Sequence, residues 1–186
     1  MQENINFKDK LLSLPDEWIV LINSPNEISD EVSYEAINYL IEEKEYVGII
    51  LTASKPYATL KKNFNGKGID TDRIIFIDCI SKSQSTELEK VGNVIYIDAV
   101  YNLTNISLAF KKIIKRIEGK KFFYVDSLTA MLIHNNQEIF VRFIHGLITS
   151  MRLAGISGFL ISLDADSDDA IKERISNLCD KTIKIE

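Results

Sequence analysis

Six short apolar runs, set between amphipathic stretches, constrain this chain more than any other feature. They are Trp18–Ile22 (WIVLI), Val47–Leu51 (VGIIL), Ile74–Ile77 (IIFI), Val94–Ile97 (VIYI), Phe122–Val125 (FFYV) and Gly158–Leu163 (GFLISL). Each is too short for a helix and rich in β-branched or aromatic residues, which predicts strands buried on both faces. The stretches between them carry helical stripes. Tyr34, Ile37, Leu40 and Ile41 share one face, as do Ile106, Ala109, Phe110, Ile113, Ile114 and Ile117. The clearest stripe is Phe140, Phe143, Ile144, Leu147, Ile148 and Met151. Strands alternating with helices predict a three-layer α/β fold, a mostly parallel central sheet with helices on both faces. A last alternating piece, Thr182–Glu186 (TIKIE), predicts a further short strand.

Local signals place the boundaries. Ser29-Asp30 and Thr104 are predicted helix caps, and Gly119 and Gly155 fit positions just past a helix end. No repeat or linker divides the chain, so residues 1–186 read as one domain with residues 1–16 as an N-terminal extension. The polar segment Ser81–Gly92 is expected to be a surface loop. No apolar run approaches the length of a membrane span, and the N-terminus lacks the apolar core of a secretory signal. Cys79 and Cys179 have no metal-ligand spacing and are expected to be reduced and buried. These features predict a cytoplasmic protein. A net charge of −5 argues against a general nucleic-acid binder.

In an open parallel sheet, ligands bind beyond the carboxyl ends of the strands. Four runs end there in Asp: Asp78, Asp98, Asp126 and Asp164. An aspartate at such an edge can hold Mg²⁺, or it can cap the next helix or turn. Asp126 differs from the others in context. FFYVDSLTAML sets four apolar residues before it and two hydroxyl residues, Ser127 and Thr129, after it. This is the pattern of a Walker B strand, whose Asp orients Mg²⁺ on a nucleotide phosphate.

FFYVDSLTAML followed by EIFVRFIHGLITSMRLAGISGFLISL resembles the second half of a RecA-type ATPase core, closest to the archaeal KaiC/GvpD/RadA-like group. Upstream, NGKGIDTDRIIFIDCIS and NLTNISLAFKKIIKRIEGKKFFYVDSLT resemble the segments that lead into that half. The closing RISNLCDKTIKIE is similar to that group's ending of helix, Asp and short β-hairpin, with Asp180 in the Asp position. The resemblance spans roughly Glu17 to Glu186 and implies a RecA-like fold with a short antiparallel C-terminal strand.

The departures from that group are as informative. Its first strand leads into G-x-x-x-x-G-K-[ST], whose backbone N–H groups and lysine cradle the phosphates. Here the first strand leads into NSPNEISDEVSYEAINYL, which has no Gly, Lys or Arg; the first glycine of the chain is Gly48. Pro25 removes an N–H, and Glu27, Asp30, Glu31 and Glu35 would repel a triphosphate. The group's catalytic Glu after the second strand is replaced by Ala53, Ser54 and Lys55, and ISLDADSD stands where relatives place a polar γ-phosphate sensor. The chain therefore reads as a non-catalytic RecA/KaiC-like domain, a regulatory or scaffolding protein acting through a protein partner or as a homo-oligomer. No catalytic residue and no cofactor are expected. Ser24, Asn26, Asp126 and Ser127 would be a vestigial nucleotide site, with Asp126 as the candidate metal ligand. The alternative is an ATPase with a divergent phosphate loop, binding Mg-ATP through Asp126 and backbone N–H groups near Ser24–Ile28. A third reading joins Asp78, Asp98 and Asp126 into a metal-dependent or receiver-like site. A receiver also needs a lysine at the end of a late strand, which GFLISLDAD does not supply.

Other motifs have structural explanations. Gly66-Lys67-Gly68 follows a helical pattern rather than a strand, so it reads as a helix C-terminal turn. Lys111, Lys112, Lys115, Arg116, Lys120 and Lys121 form a basic cluster, which is either a solvated face or a contact for an acidic partner or, as the RadA-like resemblance would allow, a nucleic-acid backbone. His134 and His145 have no ligand-spaced companions.

Overall fold

The computed structural model describes residues 14, 16–84, 88, 90–163 and 169–185. The strands are β1 (Ile19–Ser24), β2 (Val47–Thr52), β3 (Ile74–Asp78), β4 (Val94–Tyr96), β5 (Lys121–Val125), β6 (Ser157–Leu163) and β7 (Lys181–Lys184). They form one sheet in the order β4-β3-β2-β5-β6-β1-β7. Every strand pairing in it is parallel. The helices are α1 (Asn26–Asn38), α2 (Tyr57–Gly66), α3 (Ser81–Gln84), α4 (Leu103–Ile114), α5 (Leu128–Ile133), α6 (Gln137–Leu153) and α7 (Asp169–Ser176). No described helix is long and apolar enough to cross a membrane.

The period-2 alternation of each strand divides the core into two layers. Ile19, Leu21, Ile49, Leu51, Phe123 and Val125 pack with α4, α5, α6 and α7. Val20, Ile22, Ile50, Phe122, Tyr124 and Phe159 pack with α1 and α2 on the other face. Over the five central strands both sheet faces are covered, which is why those strands read as continuous apolar runs, while β4 is half-buried and β7 mostly exposed. Phe159 occupies the centre of the second layer. Its ring centroid lies 4.6 Å from Tyr124, 6.0 Å from Phe122 and 6.5 Å from Trp18.

Several local expectations need correction. The C-terminal strand is parallel, not antiparallel: Val20 pairs with Lys181 and Asn23 with Lys184. The reason is the preceding helix, which makes the connection a crossover and returns the chain to the edge where β1 starts. Asp180 fixes that start. Its carboxylate accepts the Ile19 N–H at 2.7 Å, its own N–H donates to Ile19 O at 2.8 Å, and Arg152 pairs with it at 3.0 Å. Ser29-Asp30 does not cap α1, which starts earlier, at Asn26 after Pro25. Proline's fixed φ suits a helix entrance, and Ser29 Oγ instead donates back to Asn26 O. Thr104 is likewise displaced as a cap by Asn102, whose side chain accepts from Asn105 N. Within the expected loop Ser81–Gly92, Ser81–Gln84 form the short α3.

Other expectations hold. The Gly66-Lys67-Gly68 segment ends α2: Gly68 has φ +75°, and the Ile69 N–H returns to Phe64 O at 3.0 Å. Gly155 ends α6 in the same way, with Ile156 N–H returning to Met151 O. Gly119 also has positive φ, but it lies in the loop beyond α4 rather than at its cap. Cys79 is buried and Cys179 is half-buried, and neither is disulfide-bonded.

Because Phe159 is fully buried among three other rings, Phe159→Ala should cost about 3–5 kcal/mol. At this size that is a fall of roughly 6–20 °C in Tm, read by calorimetry.

Candidate functional site

The carboxyl ends of β1, β2, β3 and β5 carry the residues singled out from the sequence. Asp126 follows β5, and β5 lies beside β2 in the sheet. Its Oδ1 accepts the Ala53 N–H at 2.8 Å. Its Oδ2 accepts from Thr52 Oγ1 at 2.8 Å, Ser54 N at 3.1 Å and Ser54 Oγ at 2.6 Å. A carboxylate has about four lone-pair positions, so the turn after β2 uses its accepting capacity. Burial pushes the Asp126 carboxyl above the usual aspartate range, against the hydrogen bonds from Ser54, Ala53 and Thr52 that favour the charged form. The turn that supplies these donors is the one where the resemblance calls for a catalytic acid.

The same turn reaches α1. Lys55 Nζ bonds to Asp30 Oδ2 and forms an ion pair with it. Both side chains are partly exposed, so the pair adds little stability. Its effect is positional: the charge of the β2 turn is held against the first turns of α1. At the start of α1, Ile28 N and Ser29 N both donate to Pro25 O, and Glu27 supplies the acid that complements the helix dipole.

Of the other predicted site residues, Ser24 is buried and its Oγ donates to Pro25 O at 3.1 Å. Asn26 is exposed as the first residue of α1. Ser127 is buried and caps α5 by accepting the Ala130 N–H at 3.0 Å. Among the described residues, no hydrogen bond joins Ser24 or Asn26 to Asp126 or Ser127. Thr129 ties the neighbouring strand ends together, its Oγ1 accepting the Leu163 N–H at 3.1 Å.

The aspartates do not converge. Asp78 is fully buried and accepts from Tyr57 N at 2.7 Å, Ile80 N at 2.8 Å, Ser81 N at 2.9 Å and Ser81 Oγ at 2.6 Å. It thereby ties the entrance of α2 to that of α3. Asp98 is exposed and pairs with Lys82 at 2.6 Å. Among the described residues, no three His, Cys, Asp or Glu side chains could hold a metal ion. The reading that joined Asp78, Asp98 and Asp126 in one site is therefore not supported, because each serves a different turn. Asp164 and the rest of DADSD lie outside the described residues.

Sequence reading missed Thr52 and Asp30 as partners in this network. The available signal was the hydroxyl-rich turn TASK facing a strand-end aspartate. Nothing local to Asp30 indicated that it would meet Lys55, 25 residues away.

Asp126→Ala would leave several donors of the β2 turn without a partner, at about 1–3 kcal/mol for each one that stays buried. Its Tm should fall by several degrees with no ligand present, which calorimetry reads directly. Because the folded-state carboxyl is raised, its protonation linkage favours the fold most below the ordinary aspartate range, about pH 4. That contribution is lost as pH rises through the raised value. The stability gap between wild type and Asp126→Ala should therefore narrow from acid toward neutral pH in urea titrations.

Comparison with known proteins agrees with this architecture. No curated relative matches the sequence. A KaiC-like protein from the hyperthermophilic archaeon Pyrococcus horikoshii OT3 superposes with TM-score 0.66 at 16% identity, covering 93% of this chain and 74% of that one. An uncharacterized protein from Pyrococcus horikoshii, solved in complex with an unknown peptide, superposes with TM-score 0.73 at 12% identity, covering 97% of this chain and 82% of that one. At these identities the likeness is one of fold. The family model of the KaiC ATPase matches residues 34–186, well over half of the sequence. The chain thus belongs to the KaiC ATPase family.

Proposed function

We propose that this KaiC-family domain acts by association, as a regulatory or scaffolding protein, and does not hydrolyse ATP. The observation that carries the reading is the state of Asp126. The residue in the Walker B position accepts from Ala53 and Ser54 and faces the Thr52 hydroxyl, in the turn where a catalytic acid is expected. To hold Mg²⁺ it would first have to release those donors, at the cost of leaving them unpaired. The start of α1 supports the same reading. Its loop has no glycine and no lysine, and the Asp30 carboxylate and Lys55 ammonium already compensate each other there. A phosphate would meet Glu27 and Asp30 before any free cation of this turn.

What remains is a rigid three-layer scaffold with broad helical faces. A neighbour of the same fold was solved with an unknown peptide bound, which is compatible with a role in protein association. Partner or self-association is accordingly part of the proposal, with no nucleotide, membrane or nucleic acid required. A cytoplasmic location belongs to it as well.

The test is a thermal melt with and without about 1 mM Mg-ATP. A ligand at 100 times its Kd adds about 2.7 kcal/mol, worth roughly 5–11 °C here. The expected result is no shift with Mg-ATP or Mg-GTP, and no phosphate release. A shift of several degrees that disappears in Lys55→Ala or Asp126→Asn would overturn the proposal and establish the Mg-ATP alternative.

A further inference from the structure

Helix α4 stands as a ridge with a groove on each flank. One groove, of about 280 Å³, lies between α4 and the edge strand β4, with Ile95, Ile97 and Lys112 among its walls. The other, of about 190 Å³, lies between α4 and α6. Phe110, Phe143 and Leu147 form its apolar floor, and Lys111 and Arg142 are its cations. Leu108, 59% exposed, is a large apolar side chain placed in water on the α4–β4 side of the ridge, where it lines that groove with Lys112.

Ordinary architecture explains only part of this. Lys111 and Lys112 lie in the last turn of α4, where the helix dipole favours cations. The dipole does not account for Arg142, which lies in the N-terminal half of α6. Nor does it account for Leu108. Lys111 with Lys115, and Lys112 with Arg116, are like charges one turn apart, which weakens a helix. Lys111, Lys112 and Lys115 form no ion pair with any described acid. No acidic side chain lines the α4–α6 groove, and the acid of the other groove, Asp98, is neutralised by Lys82. Glu138, one turn before Arg142, feels its charge, so the uncompensated cations beside these apolar pockets are Lys111, Lys112 and Lys115, on a chain whose net charge is −5.

We infer that the α4 ridge with the grooves on its two flanks is a docking surface for an acidic amphipathic helix of a partner protein, Leu108 on the α4–β4 side and Phe143 on the α4–α6 side taking its apolar side chains and Lys111, Lys115 and Arg142 taking its carboxylates. The inference rests on the association reading above and names the surface it uses. Charge complementarity selects an acidic occupant, and the apolar floor selects a helix with anchors at i, i+3 and i+4. Nucleic acid fits less well. The same cations could meet a phosphate backbone, but a nucleic acid would leave exposed Leu108 and the apolar floor of the α4–α6 groove without apolar partners.

The probe is a fluorescein-labelled helical peptide of glutamate and leucine with one apolar face, titrated with the full chain by anisotropy at about 0.15 M salt. A polyglutamate peptide of equal length and a single-stranded oligonucleotide are the comparisons. The expected result is saturable binding of the amphipathic peptide, weakened about tenfold or more by Leu108→Ser, and likewise by Lys111→Glu combined with Arg142→Glu. These positions are exposed, so Tm and circular dichroism should stay near wild type. Four results would overturn the inference. They are no saturable binding, unchanged binding by the variants, equal affinity for polyglutamate, or tighter oligonucleotide binding that Lys111→Glu abolishes and Leu108→Ser leaves intact. The Mg-ATP melt decides the association reading independently, so the two can fail separately.

Discussion

Burying both faces of one parallel sheet is the constraint on which the rest of this molecule depends. A parallel strand cannot return to its neighbour by a tight turn, so each connection must cross over, and most crossovers here carry a helix. The helices cover the faces, and in covering them they divide the side chains of the central strands between two apolar layers. The same geometry gathers the carboxyl ends of the strands along one edge. That edge is where polar residues accumulate, because backbone and side chains there must turn and be satisfied without a ladder partner.

Most of that edge is used to hold itself together. Asp78 secures two helix entrances, Ser127 caps a third, and Asp126 binds the turn of the adjacent strand. The described residues of this edge are largely bonded to one another. The Lys55–Asp30 pair extends the pattern, since it joins the β2 turn to the helix that follows β1. Asp78, Asp126, Ser127 and the Lys55–Asp30 pair on this edge are satisfied within the chain, while Lys111, Lys112 and Lys115 on and beyond α4 are exposed and form no ion pair with a described acid. The proposed function by association rests on this distribution of satisfied and unsatisfied groups.

Much of the fold was legible in the sequence for a specific reason. Strands buried on both faces leave unambiguous apolar runs, and amphipathic crossovers such as Phe140–Met151 leave a strong 3.6-residue stripe. The candidate edge was legible too, because Asp126 and Ser127 follow FFYV directly. Features set by distant partners were not. The direction of β7 depends on a helix crossover and on Asp180 meeting Ile19, a contact separated by 161 residues. Cap positions failed where two candidates competed: Ser29 lost to a proline-led start at Asn26, and Thr104 lost to Asn102. An offset of two residues at α4, or four at α1, exchanges a cap for a first-turn hydroxyl, and propensity alone cannot choose between them.

The sequence by itself determined the layered α/β architecture, the absence of a glycine–lysine phosphate loop before Gly48, and the position of the strand-end aspartates. Each of these is carried by local pattern or by the residues simply present or missing. Only the tertiary structure decided what the aspartates do. A carboxylate's role depends on which donors surround it, and those of Asp126 come from a strand that is adjacent in the sheet but 72 to 74 residues away in the chain. The same holds for the α4 ridge. Its lysines are visible in the sequence, but its grooves exist only because β4 and α6 pack on either side of it.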